Sequence, residues 1–80
     1  MSIDIIESKL KSIILEYIDV DESAITPQTN LVCDMGIDSF SLISMMSSIE
    51  EEFNIHIPDG ALVDFRTVSD VVNYINTAVA

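Results

Sequence analysis

The stretch DMGIDSFSLISMMSSIEEEFNIHIPD, residues 34–59, encloses a helix between two segments that cannot continue it. Gly36 favours a turn before the helix, Asp38 can cap its first amides, and Pro58 interrupts regular structure after it. Between them, apolar residues recur at spacings of three and four, which predicts a helix over about 38–53. Its buried face is predicted to carry Leu42 or Ile43, Met46, Ile49 and Phe53. Its outer face is predicted to carry Ser41, Ser44, Ser48 and Glu51.

The chain before this stretch divides into a helix and a long loop. Residues 3–18 have helical apolar spacing, and Ser2 can cap them. Residues 19–38 lose that period and are rich in turn residues, so they predict a loop of unusual length for a small domain. The residues expected to pin this loop to the core are Ile25, Leu31, Val32 and Met35.

The chain after Pro58 predicts a short helix and a last, longer one. Residues 59–65 can form one short helix at most. Thr67 and Asp70 form a T-x-x-D pattern close to a capping box, and valines and isoleucines then follow at a period of 3.6 rather than 2. We therefore predict one all-α domain over residues 1–80, a small three-to-four-helix bundle with a long loop between helices 1 and 2.

The composition limits the partners. Fourteen acidic residues face three basic ones, a formal net charge of −11, so nucleic acid and anionic membranes would be repelled and basic protein surfaces attracted. Cys33 is the only cysteine, which excludes an internal disulfide and fits a reducing compartment. No signal peptide or bilayer-spanning stretch is recognisable. We expect a cytoplasmic monomer.

Ser39 stands directly after Asp38, which raises the possibility of a nucleophile. A serine needs an adjacent base, and the one histidine, His56, lies roughly 25 Å away along the predicted helix at 1.5 Å per residue. A carboxylate of ordinary pKa such as Asp38 is a poor base for an alcohol. We therefore expect no catalytic residue. Ser39 is either a simple first-turn residue or the substrate of another enzyme, because a helix start favours an attached phosphate.

The sequence gives little support for a metal-binding site. Residues 19–30 faintly resemble a calcium loop, but they lack the glycine at position 6 and the glutamate at position 12. We predict no dedicated metal site, and only weak, non-specific binding of divalent cations by clustered acids.

Residues 34–59 resemble the motif of the acyl carrier protein family, a D-L-G-x-D-S-L core, a helix ending E-E-x-F, and then I-P. The resemblance covers nearly the whole chain, including TPQTNLVCDMGIDS and FRTVSDVVNYI. It implies that a phosphopantetheinyl transferase attaches 4′-phosphopantetheine to Ser39. Asp38 and Gly36 match the motif's aspartate and glycine. The arm would carry acyl groups as thioesters, and the chain would be a carrier rather than an enzyme.

The resemblance also implies a docking surface and a metabolic role. Partners would be acyl-transferring and chain-elongating enzymes with basic patches, in fatty acid or a related specialised lipid or polyketide biosynthesis. The candidate partner-binding residues are Phe40, Ser41, Ser44, Met45 and Glu51. Phe40 stands where leucine is usual, and Ser41 and Ser44 stand where many fatty-acid-synthesis carriers have acids. These departures fit a carrier dedicated to one pathway as well as the general carrier of fatty acid synthesis. The alternatives are an aminoacyl or peptidyl carrier, and a small acidic helical adaptor without a prosthetic group.

Overall fold

A computed structural model describes residues 2–79 and contains three α-helices. These are α1 (Ile3–Tyr17), α2 (Ser39–Phe53) and α3 (Val68–Val79). Two short 3-10 segments, Glu22–Ala24 and Asp59–Asp64, lie in the connections. The described residues form no strand, only an isolated bridge between Asn30 and Thr67. The predicted all-α bundle with a long first loop is confirmed. Within residues 2–79, none of the helices has the length and apolar character needed to cross a membrane.

Side-chain caps fix where the helices begin. The Ile5 amide donates to Ser2 Oγ at 3.3 Å at the start of α1. At the start of α3 the Asp70 amide donates to Thr67 Oγ1 at 3.2 Å, and the Thr67 amide donates to Asp70 Oδ2 at 3.0 Å. This reciprocal pair satisfies amides that the helix itself leaves unpaired. The predicted caps of α1 and α3 are therefore confirmed.

One apolar core joins the three helices, the first loop and the 3-10 segment at 59–64. One prediction about it is wrong. Val32, expected to anchor the loop, is 54% exposed, and Ile37 is buried in its place. On α2, the predicted inward residues Met46, Ile49 and Phe53 are buried, Leu42 rather than Ile43 packs against the core, and Met45 is buried as well. The predicted loop anchors Ile25 and Leu31 are buried as expected.

The long loop is held against the start of α3 by backbone hydrogen bonds. The Leu31 amide donates to the Arg66 carbonyl at 2.8 Å, and the Val68 amide donates to the Thr29 carbonyl at 3.0 Å. The Ser69 amide donates to another loop carbonyl at 2.9 Å. The loop therefore has a defined path despite its length, and this path leads directly to Ser39.

Candidate modification site at the start of α2

Ser39 is exposed and is the first residue of α2. The turn before it depends on Gly36, whose φ of 68° lies in the left-handed region that side chains disfavour. The Gly36 amide donates to the Val32 carbonyl at 2.9 Å, and the buried side chain of Ile37 ties the turn to the core. The chain thus leaves the core at Ile37 and presents Ser39 to solvent two residues later.

Asp38 is the N-cap of α2. Its Oδ1 accepts a hydrogen bond from the Ser41 amide at 2.7 Å. This bond, with smaller contributions from the Ser41 side chain and the Phe40 amide, holds the pKa of Asp38 below its usual value of 3.8. Asp38 is therefore a carboxylate at neutral pH. It orders the turn beside Ser39, and its lowered pKa makes it a still poorer base for the serine hydroxyl.

The cap at Asp38 should make stability depend on pH. We expect Asp38→Asn to lower the melting temperature at pH 7. Asparagine can still cap the first amides of α2, but it lacks the negative charge that interacts favourably with the positive end of the helix dipole. A carboxyl whose pKa is lowered by folding stabilises above its unfolded pKa and loses this effect as pH falls through its folded pKa. Melting curves of both proteins from pH 7 to about 3 should therefore converge at acidic pH. A difference that stays constant over this range would contradict the role of the charge.

His56 lies beyond the other end of α2. Its Nδ1 is 3.3 Å from Glu50 Oε2, and its side chain is largely exposed. Fifteen helical residues span about 22 Å at 1.5 Å per residue, which separates this pair from Ser39. The arrangement therefore offers an accessible hydroxyl at a helix start but places no histidine beside it.

The predicted partner-binding residues do not share one exposed face. Phe40 and Glu51 are exposed, and Ser41 is half-buried. Met45 is fully buried, so its assignment to a partner surface is wrong: it faces the core, where it fills apolar space. Ser44 is half-buried because α1 covers it.

Tyr17 of α1 explains why Ser44 and Ser48 are not fully exposed. Its hydroxyl donates to the Ser44 carbonyl at 3.0 Å and lies 2.6 Å from Ser48 Oγ. The expected outer positions of Ser44 and Ser48 are therefore wrong, since both lie at the contact between α1 and α2. The Ser48 hydroxyl and the Ser44 backbone carbonyl together satisfy the phenol of Tyr17 at this contact.

Two exposed apolar residues were not predicted. Ile43 is 55% exposed on α2, and Val63 is 72% exposed in the segment 59–64. Ile43 also lines a cleft of about 80 Å³ between α2 and that segment, together with Met46, Ser47, Glu50, Ile57, Asp59 and Leu62. The sequence carried one usable signal, the run of uncharged residues from Ser39 to Ile49.

Comparison with known proteins decides the family. The family model described as "Phosphopantetheine attachment site" matches residues 8–75. The acyl carrier protein of Thermotoga maritima is 43% identical over 68 residues, which cover 85% of this chain and 84% of that protein. The chain belongs to the acyl carrier protein family. It is a carrier and not an enzyme, and its prosthetic group is a covalently attached 4′-phosphopantetheine.

Proposed function

We propose that Ser39 is the attachment residue and that the chain carries acyl groups in fatty acid or a related specialised lipid or polyketide biosynthesis. The observation that supports this proposal is that Ser39 is exposed at the first position of α2, after the turn formed by Gly36 and Asp38. The free amides and positive dipole end of a helix start suit a phosphate ester. Once attached, the arm's terminal thiol holds acyl groups as thioesters.

The residues present fit this group. No acidic residue occupies the first turn of α2, so no helix carboxylate there opposes the negative phosphate. One carboxylate oxygen of Asp38 accepts a hydrogen bond from the Ser41 amide, which keeps the turn ordered. The Ser39 hydroxyl stays accessible. A phosphopantetheinyl transferase would supply the base that Ser39 lacks. The chain's own task is to present the hydroxyl and keep the surrounding turn fixed.

The partners follow from charge and from the family. A net charge of −11 favours association with basic enzyme surfaces, and it supports docking by acyl-transferring and chain-elongating enzymes. We place the carrier in the cytoplasm as a monomer. An aminoacyl or peptidyl carrier remains the second candidate, because the partner enzyme rather than the arm selects the cargo. The family match argues against an adaptor without a prosthetic group.

Intact-mass measurement tests the proposal. The full chain incubated with coenzyme A and a broad-specificity transferase should gain the mass of one phosphopantetheine, and peptide mapping should locate it on Ser39. A second carrier protein in the same tube serves as the control for transferase activity. An unchanged mass beside a modified control would refute the proposal. The thioester cargo released from the carrier of its native cells would then distinguish an acyl from an aminoacyl or peptidyl role.

A further inference from the structure

A second surface cavity lies along α3 and the residues just before it. It is a groove of about 340 Å³, larger than the cleft of about 80 Å³ beside α2, and it is open to solvent on one side. Its lining residues are Asp64, Phe65, Asp70, Asn73, Tyr74 and Thr77. All of them lie within residues 64–77, so α2 and the loop that leads to Ser39 contribute nothing to it. The proposed function assigns no occupant to this groove.

An aromatic pair forms the floor of the groove. Phe65 is buried, and its ring packs edge-to-face against the ring of Tyr74, with 5.2 Å between the ring centroids and an interplanar angle of 74°. The Tyr74 hydroxyl donates to the His56 carbonyl at 3.4 Å, so the ring is held by contacts on two sides. Tyr74 is only partly buried, which leaves part of it available to a group that enters the groove. Aromatic rings attract cations, so this floor suits a cationic group on an apolar stem.

Two carboxylates lie beside this aromatic floor, and none of the lining residues is basic. Asp70 Oδ2 accepts hydrogen bonds from the Thr67 and Arg66 amides, which leaves Oδ1 for another donor. The Thr67 amide first, and then the Arg66 amide and the Arg66 charge, hold the pKa of Asp70 below its usual value of 3.8. Asp64 is exposed and makes no ion pair within residues 2–79. The groove therefore combines an apolar floor with negative charge at neutral pH.

We propose that this groove binds the side chain of one arginine of a partner protein, at a contact separate from Ser39. A guanidinium group is planar, stacks on aromatic rings and donates two hydrogen bonds to a carboxylate, whereas the ammonium group of lysine supplies only a point charge. Pockets for free small molecules enclose most of the ligand surface. This groove is open on one side, so it suits a side chain that is held from outside by its own protein. The net charge of −11 steers a basic partner toward it.

Titration of the full chain, followed by the shifts of its backbone amides in NMR spectra, tests this inference. The probe is Nα-acetylarginine N-methylamide, added at a constant ionic strength of about 0.1 M so that general screening does not change. We expect saturable shifts of amides within residues 64–77, with a Kd of about 10–50 mM, as one surface ion pair and one cation–π contact allow. The capped lysine should bind about threefold more weakly. The capped citrulline, which has the same shape without the charge, should give no saturable shift.

Two variants separate the charge of the groove from its aromatic floor. Asp64→Asn should raise the Kd of the capped arginine about threefold by removing one ion-pair partner. Its matched control is Asp59→Asn, which removes the same charge from the same 3-10 segment at a residue that does not line the groove, and which should leave the Kd unchanged. Tyr74→Leu keeps an apolar side chain but removes the ring, and it should also raise the Kd about threefold.

Three results would overturn the inference. Equal Kd values for Asp64→Asn and Asp59→Asn, or shifts spread evenly over the acids of all three helices, would show only general attraction of cations. Citrulline binding as tight as that of arginine would exclude a role for the charge. Spermidine binding tenfold tighter than the capped arginine would assign the groove to a free polyamine. The groove does not include Ser39, so none of these results bears on the proposed acceptor, and an unmodified Ser39 would not bear on the groove.

Discussion

Ser39→Ala should abolish attachment of phosphopantetheine completely. The substitution removes the one oxygen on which the proposed ester forms. The fold should not change, because Ser39 is exposed and alanine is favourable within a helix. The measurement is intact mass after incubation with coenzyme A and a broad-specificity transferase. Thermal melts of the variant should overlay those of the wild type, which separates loss of the acceptor from loss of the fold.

Ser47→Ala is the matched control for this experiment. Ser47 is also an exposed serine of α2, two turns further along the helix. Its replacement should leave the added mass unchanged. If Ser39→Ala still gained one phosphopantetheine, or if Ser47→Ala lost it, another residue would be the acceptor.

Leu31→Ala should destabilise the protein more than any surface change considered above. Leu31 is fully buried and anchors the loop that leads to Ser39. Removing most of a buried leucine side chain typically costs 2–5 kcal/mol, against a total stability of about 4–12 kcal/mol for a domain of this size. Since 1 kcal/mol corresponds to about 4–8 °C in a small domain, the melting temperature should fall by roughly 10 °C or more.

The neighbouring residue supplies the control for Leu31. Val32→Ala removes an exposed side chain from the same loop and should change stability by no more than about 0.5 kcal/mol. Thermal or urea unfolding of the two variants measures the difference directly. Similar losses for both would mean that the loop does not depend on Leu31 as its anchor.

The positions of the three α-helices could be predicted because local interactions fix them. Asp38, Thr67 and Asp70 satisfy amides within a few residues of themselves, so the capping patterns were readable from the sequence. The same local pattern located Ser39 at the start of a helix. These are interactions for which the distant parts of the chain are not needed.

The errors arose where distant segments decide the outcome. The apolar residues of α2 extend around more than one face, so the period alone could not say that Met45 points inward and Ile43 outward. The burial of Ser44 depends on the phenol of Tyr17, 27 residues earlier in the chain. In the loop, Ile37 rather than Val32 became the anchor because hydrogen bonds to the start of α3 fix its path.

Those hydrogen bonds between the loop and residues 66–69 also bear on the timing of modification during protein synthesis. Ser39 leaves the ribosome well before residues 66–69, yet the loop that presents Ser39 takes its path only when the Arg66 carbonyl and the Val68 and Ser69 amides are available to it. A nascent chain that stops short of α3 has the proposed acceptor serine but lacks the support for the turn around it. We therefore expect the transferase to act after translation of α3 and not on the growing chain.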